Sequence, residues 1–388
     1  MDINFHYFAV KALAHCAGFE EAESQRIAEY SQYVDDFSWR AYIECKNIPE
    51  YIAKDPELDL YIDPPKIPIL NFSPVTTGFA ELIDFAFLIL ERSQLFTTSP
   101  FHFVPQNIKV GKVDKDARTT PTTIGDGSII GDLLVNARTE LHRARTKGER
   151  DIALMRIGIY LHTFADTYAH QLFTGFYSWA NDVKVVSVTD ENNGNDITEL
   201  ILNEAKEKYE QSVEQDANLI SDEAEQGVIP PIGHAIAGSA PDYTFASIHF
   251  DFKKDKDDKA RSLKHIRSNT TEFLTAAEHI FKYLVSCADS KTPPYMNWNR
   301  LSPLFFSAFR QRYDSKTKHE ETIQNWKMYF GEVYFSYKSE DIEKRFYTDN
   351  GKKNYTEEFY RYNYITAKRL TAMYGPKPRK AWWNLPDE

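Results

Sequence analysis

Residues 152–173, IALMRIGIYLHTFADTYAHQLF, constrain the fold of this chain more than any other segment. Ile152, Met155, Ile157, Ile159, Leu161, Phe164 and Leu172 leave almost no polar face, and Gly158, Ala165 and Ala169 are small enough to let a neighbour approach closely. A helix that is apolar nearly all round is a buried helix. Inside it stand His162, Asp166 and His170. Each step of four residues adds about 40° of rotation and ~6 Å of rise, so the three share one stripe. A buried carboxylate is costly unless it is paired or bound to a cation. With a histidine one turn away on either side, Asp166 can bridge two metal ions roughly 3.5–4 Å apart, each capped by one imidazole. The alternative is a hydrogen-bonded core network without metal.

The surrounding sequence predicts a mainly α protein. Helical periodicity runs over about 5–17, 20–35, 79–95, 128–147, 149–173, 197–219, 260–286, 318–335 and 355–374. The connections are Pro-rich, as in DPPKIPILNFSP (63–74), SPFHFVP (99–105) and VIPPIGHAIAGSAPD (228–242). Strand signals are short; VKVVSV (183–188) reads as a small hairpin strand. FDFKKDKDDKARSLKHIR (250–267) mixes charges of both signs and reads as a solvated loop entering a helix. No clean linker divides the chain. The expected organisation is a helical metal-binding core over 1–290 and an aromatic-rich helical extension over 291–388, packed on that core.

Charge and cysteine usage narrow the partners. The 57 acidic residues exceed the 46 basic ones, giving a net charge of −11. An acidic surface repels phosphate backbones, which argues against a broad grip on nucleic acid. Cys16, Cys45 and Cys287 form no spaced pair, so neither a disulfide framework nor a cysteine zinc site is indicated. The most apolar stretch, AELIDFAFLILERSQLF, is interrupted by Asp84, Glu91 and Arg92, well short of the ~20 apolar residues of a membrane span. The opening MDINFHYFAVKALAHC lacks the basic start of a signal peptide and reads as the first helix. The expectation is a cytoplasmic protein without a transmembrane segment; export that needs no signal peptide stays open.

A metal cluster on the 162–170 stripe needs further ligands. His6 lies on the first helix, with Asp2 four residues earlier on the same face. Asp35 and Asp36 end the second helix; adjacent helical residues point about 100° apart, so one of them reaches an ion and the other either stands behind it or is solvated. His102 lies between two prolines, and an extended backbone there would set it opposite Phe101 and Phe103. His234 follows Gly233, where the backbone can approach a site closely. His142 sits among basic residues, His265, His279 and His319 in polar or amphipathic helices, His249 in a short apolar run and His15 after the first helix's apolar face; all six read as structural.

Absent motifs exclude other chemistry. There is no HExxH, no His-Asp dipeptide and no Glu-x-x-His, so zincin, nucleotide phosphohydrolase and ferritin-like di-iron readings lack support. GDGSIIG (125–131) misses the dinucleotide spacing by one residue, and neither a phosphate-binding P-loop nor a Gly-x-Ser-x-Gly elbow occurs.

The order of these residues resembles that of the zinc-dependent phospholipase C and single-strand-specific zinc nuclease superfamily, closest to an uncharacterised bacterial branch. The resemblance covers about residues 1–242 and rests on MDINFHYFAVKALAHCAGF, SQYVDD, FHFVP, LHTFADTYAHQ and IGHAIAG. It implies a multi-helix fold with long Pro-rich loops and two or three Zn2+ ions that hydrolyse phosphate esters. In it Asp166 would bridge two ions with His162 as its first partner, and Asp35, with Asp36 as substitute, would ligate zinc and act as base. His102 would match the isolated histidine and His6 the N-terminal one, while His170 and His234 would hold another ion. Two departures stand out. The secreted enzymes ligate zinc through a processed N-terminal amine, a role Asp2 could take here unless the third ion is missing. The spacing from Asp166 to the next histidine is also shorter than usual.

The function expected is therefore a metal-dependent phosphodiesterase acting through metal-activated water. Its substrate would be a phospholipid headgroup or small phosphodiester rather than nucleic acid. The competing readings are a metal-stabilised helical scaffold or binding protein, and a helical interaction protein without metal.

Overall fold

The computed structural model describes residues 1–38, 43–45, 48–58, 61–62, 70–72, 74–78, 88–106, 108–109, 111–215, 229–289, 293–312, 319–349 and 353–375. The chain is mainly helical, with a small antiparallel sheet. Helix α1 opens as a π-helical stretch, Asn4–Ala9, and continues as regular α-helix over Val10–Cys16. Helix α2 spans Glu21–Asp36. Three short strands, β1 (Ile43–Cys45), β2 (Tyr61–Ile62) and β3 (Leu70–Phe72), pair antiparallel with β3 in the middle. Helix α3 is built from Glu91–Ser93, a second π-helical stretch Gln94–Thr98, and Ser99–His102. Helices α4 (Ile129–Arg143) and α5 (Lys147–Ala169) follow.

Helix α5 is the 152–173 segment, and its surroundings explain its composition. Every residue from Ile157 to Ala169 is buried. The helix is enclosed by α2, α3, α4 and two later helices, α7 (Asn269–Cys287) and α11 (Glu357–Tyr374). Thr146 and Glu149 start it with a reciprocal capping box. Gly158 sets its distance from α2, since a Cβ there would lie 2.4 Å from the Ile27 carbonyl oxygen. The helix stops at Ala169, so His170 is its C-cap rather than a residue of its last turn.

A second sheet packs beside the helices. Strand β4 (Val183–Asp190) pairs with β5 (Ala246–Phe252), which pairs with β6 (Leu263–Ser268), all antiparallel. Helix α6 (Thr198–Gln215) connects β4 towards β5. Ala246, Ile248, Phe250 and Phe252 alternate inward and form a small core with Phe103, Phe173, Ile197 and Ile201. This corrects the reading of 250–267 as a loop entering a helix. The run is a hairpin whose charged turn is organised by Asp258, which accepts from the backbone N–H of Lys254 (3.0 Å) and Ala260 (2.9 Å). The helix expected over 260–286 accordingly begins only at Asn269. The extended form expected for 99–105 is also corrected, because Ser99–His102 is helical with Pro100 in its first turn.

The C-terminal elements are α8 (Trp298–Phe309), α9 (His319–Tyr329), α10 (Ser339–Phe346), the hairpin β7 (Tyr347–Asp349) and β8 (Lys353–Tyr355), and α11. They share one apolar cluster with α1 and α2. Trp326 stacks on Phe8 at 5.9 Å, and Tyr362 meets Phe37 at 4.9 Å. Residues 79–87 and 216–219 of the expected helices, 63–69 of the Pro-rich connection and 376–388 lie outside the described residues. Among the described residues no helix is long and apolar enough to cross a membrane.

Candidate metal centre

Eight side chains from six regions of the chain converge on one buried locus. His6 comes from the π-helical opening of α1, Asp35 from the last turn of α2 and His102 from the end of α3. His162 and Asp166 come from α5, and His170 from its C-cap. His234 and Asp242 sit in the turns around a short 3-10 stretch, Ala235–Ala237. Two of the histidines thus lie in or just after π-helical segments, which often mark functional positions.

Asp166 is the hub. Its Oδ1 lies 3.1 Å from His6 Nε2, and its Oδ2 lies 3.2 Å from both His102 Nδ1 and His162 Nε2. Asp35 Oδ1 stands 3.6 Å from His162 Nε2 and 3.7 Å from His102 Nδ1. One turn further along, His170 Nε2 is 2.9 Å from Asp242 Oδ1, and His234 Nε2 is 3.2 Å from Asp242 Oδ2. The Met1 nitrogen joins the two halves, 2.5 Å from Asp166 Oδ1 and 3.1 Å from Asp242 Oδ1.

The far side of each ring decides what these contacts are. His162 Nδ1–H donates to the Ser31 carbonyl (2.8 Å), His102 Nε2–H to Thr77 (2.7 Å), His170 Nδ1–H to His102 (2.7 Å) and His234 Nδ1–H to Gly238 (2.7 Å). A neutral imidazole has one N–H, so each of the four, when neutral, turns a lone pair toward the centre. His162 Nε2 and His102 Nδ1, 3.2 Å apart, therefore face each other and a carboxylate oxygen with no proton left to share. Imidazolium is no remedy at His162, whose pKa burial and neighbouring His6 drive well below the ordinary value. A backbone carbonyl behind each ring and lone pairs in front is the arrangement that metal-ligating histidines adopt.

The donor atoms fall into three sets, within each of which they lie no more than 4.8 Å apart: His6–His162–Asp166, Asp35–His102–His162 and His170–His234–Asp242. Imidazole and carboxylate donors in these sets suit zinc. His6 Nδ1 is buried without a hydrogen-bond partner among the described residues, and burial lowers the His6 pKa to about 4. Burial opposes the charge of Asp166, but the Met1 amine beside it holds its carboxyl well below the usual range. Asp242 is held low in the same way, against burial, by His234 and the Met1 amine. Burial and the Asp166 charge instead push Asp35 well above the usual range.

Two expected donors do not join these sets. Asp2 turns to Asn4, accepting from its backbone N–H (3.0 Å) and its side-chain amide (2.9 Å). Asp36 accepts a hydrogen bond from the Tyr337 hydroxyl. Asp242 was not anticipated, because it lies in a turn eight residues after His234 with no periodicity to mark it. His249 pairs with Asp251 at 3.3 Å, and His15 stacks on Tyr295 at 5.1 Å, away from the centre.

The chain belongs to the family described as a family of unknown function (DUF6765), whose model matches residues 1–374. No curated protein matches it, and no solved structure does.

Proposed function

We propose that this protein is a metal-dependent phosphoric ester hydrolase that binds two or three zinc ions and cleaves a phosphodiester, with a phospholipase C-like helical fold around the centre. The observation that carries this reading is the backbone carbonyl behind each of His102, His162, His170 and His234, which leaves the other nitrogen of each neutral ring to face the centre as a ligand. Asp35, His102, His162 and Asp166 would hold one ion, His170, His234 and Asp242 a second, and His6 with Asp166 a third. Bound there, zinc supplies Lewis acidity toward a phosphate oxygen and an acidified water.

The residues of the chain divide the remaining work. Asp35 is 30% exposed on its side chain, against 1% for Asp166, so it stands at the solvent side of the centre. A carboxylate oxygen there would take a proton from an attacking water. Asp36, held by Tyr337, supports the end of α2 behind it. Phe103 stacks on His170 at 4.4 Å and walls that side with apolar surface. Neutral imidazoles and few carboxylates leave a metal-filled centre positive, which suits a phosphate anion. The net charge of −11 elsewhere favours a lipid headgroup or small phosphodiester over nucleic acid.

A metal-stabilised scaffold is the competing reading, supported by the full burial of His6 and His162. Elemental analysis of the purified protein, with hydrolysis of bis-p-nitrophenyl phosphate, phosphatidylcholine and single-stranded DNA, separates the two. Zinc bound at two or three equivalents, and activity lost with chelator and restored by zinc, are expected. A metal-replete protein inert toward all three substrates would leave the scaffold.

A further inference from the structure

Arg267 is a buried cation, 7% exposed, that salt-bridges no carboxylate among the described residues. Its guanidinium is spent on neutral oxygens. Nη1 donates to the Tyr168 carbonyl (2.5 Å), Nη2 to Ala169 (2.6 Å) and Pro241 (3.3 Å), and Nε to Asn269 Oδ1 (2.9 Å). Tyr168 and Ala169 are the last two residues of α5, so the cation caps the negative end of that helix. The next residue is His170. Pro241 in turn immediately precedes Asp242.

Asn269 completes the brace. It is fully buried, and its amide donates to the carbonyls of Ala240 and Tyr243, both at 2.8 Å, on either side of Asp242. Two residues at the junction of β6 and α7 thus tie together the end of α5 and the 240–243 turn. These segments lie 72 residues apart and carry His170 and Asp242, whose atoms meet at 2.9 Å.

We propose that Arg267 is a positioning residue for the His170–His234–Asp242 set, fixing the spacing of His170 and Asp242 so that the set accepts a divalent cation. This rests on the metal-centre reading above. A lysine keeps the charge but lacks the planar fork that spans two segments. The substitution therefore separates geometry from electrostatics.

The test is titration of Zn2+ into chelator-stripped full-length protein, for the unsubstituted chain, R267K, D242N and the double variant. R267K is expected to weaken one zinc site by about tenfold to a hundredfold, the usual effect of an outer partner, while the other sites keep their affinity. Added to D242N, it is expected to do nothing further, since both act on one site. Equal weakening of every site, no weakening, or full additivity with D242N would overturn the positioning role. An unsubstituted protein that binds no zinc would instead overturn the metal-centre reading itself. Should R267K fail to fold by circular dichroism, N269S carries the same comparison, because it frees the 240–243 turn and leaves the contacts of Arg267 with α5 in place.

Discussion

The two ends of the candidate metal centre are built differently. At the sealed end, His6 and His162 are 0% exposed and Asp166 is 1% exposed. At the open end, the side chains of Asp35, His234 and Asp242 keep 30%, 22% and 18% of their exposure. The sealed donors ride on helices α1 and α5, inside the main apolar cluster. The open ones sit at a helix end and in turns braced by side chains from elsewhere. Burial makes the first group part of the fold's stability. Exposure leaves the second group open to solvent, with less consequence for stability.

The largest effect should come from the hub of the sealed end. Asp166→Ala leaves the buried Met1 amine without its carboxylate and takes away the oxygen that His6 and His162 face, and breaking such a buried pairing costs about 3–5 kcal/mol. Metal content and the denaturant midpoint are expected to fall together, because binding energy contributes to folding. A variant that keeps both would remove the distinction between the two ends.

Asp35→Asn tests the open end with the opposite signature. Burial and the Asp166 charge already disfavour the ionised carboxyl, so a neutral isostere should leave stability nearly unchanged. Phosphodiester hydrolysis is expected to drop by about a hundredfold, the lower range for losing a general base. Asp36→Asn should spare the reaction more, as that carboxylate is engaged by Tyr337. Equal kinetic losses in the two variants would mean that the end of α2 acts as a unit.

A smaller change probes how the sealed end is packed. Gly158→Val forces atoms against the Ile27 carbonyl oxygen, 2.4 Å from where the first of them would sit. Overpacking of this kind costs about 1–3 kcal/mol. Urea denaturation of the chelated protein is expected to show that loss. Calorimetric zinc titration should show weaker binding at the set containing Asp35 and His162, the two donors that α2 and α5 contribute.

The mildest expectation concerns pH. Burial, with Arg267 nearby, lowers the His265 pKa to about 4. The unfolded chain takes up that proton near the ordinary value of 6.5, so between 6.5 and about 4 it binds more protons than the folded chain. Stability is therefore full above 6.5 and is lost as pH falls toward 4. His6, depressed to about 4 chiefly by burial, adds to the loss at the sealed end. With chelator present, urea midpoints should fall from pH 7 to pH 5, and fall less in His265→Gln. An equal fall in both proteins would locate the whole effect at other groups.

Local periodicity made the central part of this protein legible. The i, i+4 spacing of His162 and Asp166 on an apolar helix is a property of helical geometry alone, and α5 is buried with both on one stripe. Helices α1 and α2 were readable for the same reason. Where the backbone follows no such period, the reading slipped. The charged run after Phe250 looked like a loop, although the alternation of Ile248, Phe250 and Phe252 already carried a strand signal. The prolines around His102 suggested extension, yet Pro100 fits the first turn of a helix, where its missing N–H has no partner to lose.

What the sequence determined by itself is a helical core with ionisable side chains in it: an apolar α5 that carries His162 and Asp166 and ends at His170, in a chain without HExxH, P-loop or Gly-x-Ser-x-Gly motifs. Tertiary structure alone decided which of Asp35 and Asp36 faces that core, because the choice depends on how α2 is rotated against α5 and on Tyr337, 301 residues away, engaging the other. It alone brought Asp242 to His170. The Asp36–Tyr337 and His170–Asp242 contacts join residues distant in sequence, and the 240–243 turn that carries Asp242 is hydrogen-bonded by Arg267 and Asn269 rather than built on any local repeat. Short-range geometry can be read along a chain; the closing of long loops cannot, since its free energy belongs to partners that no spacing reveals.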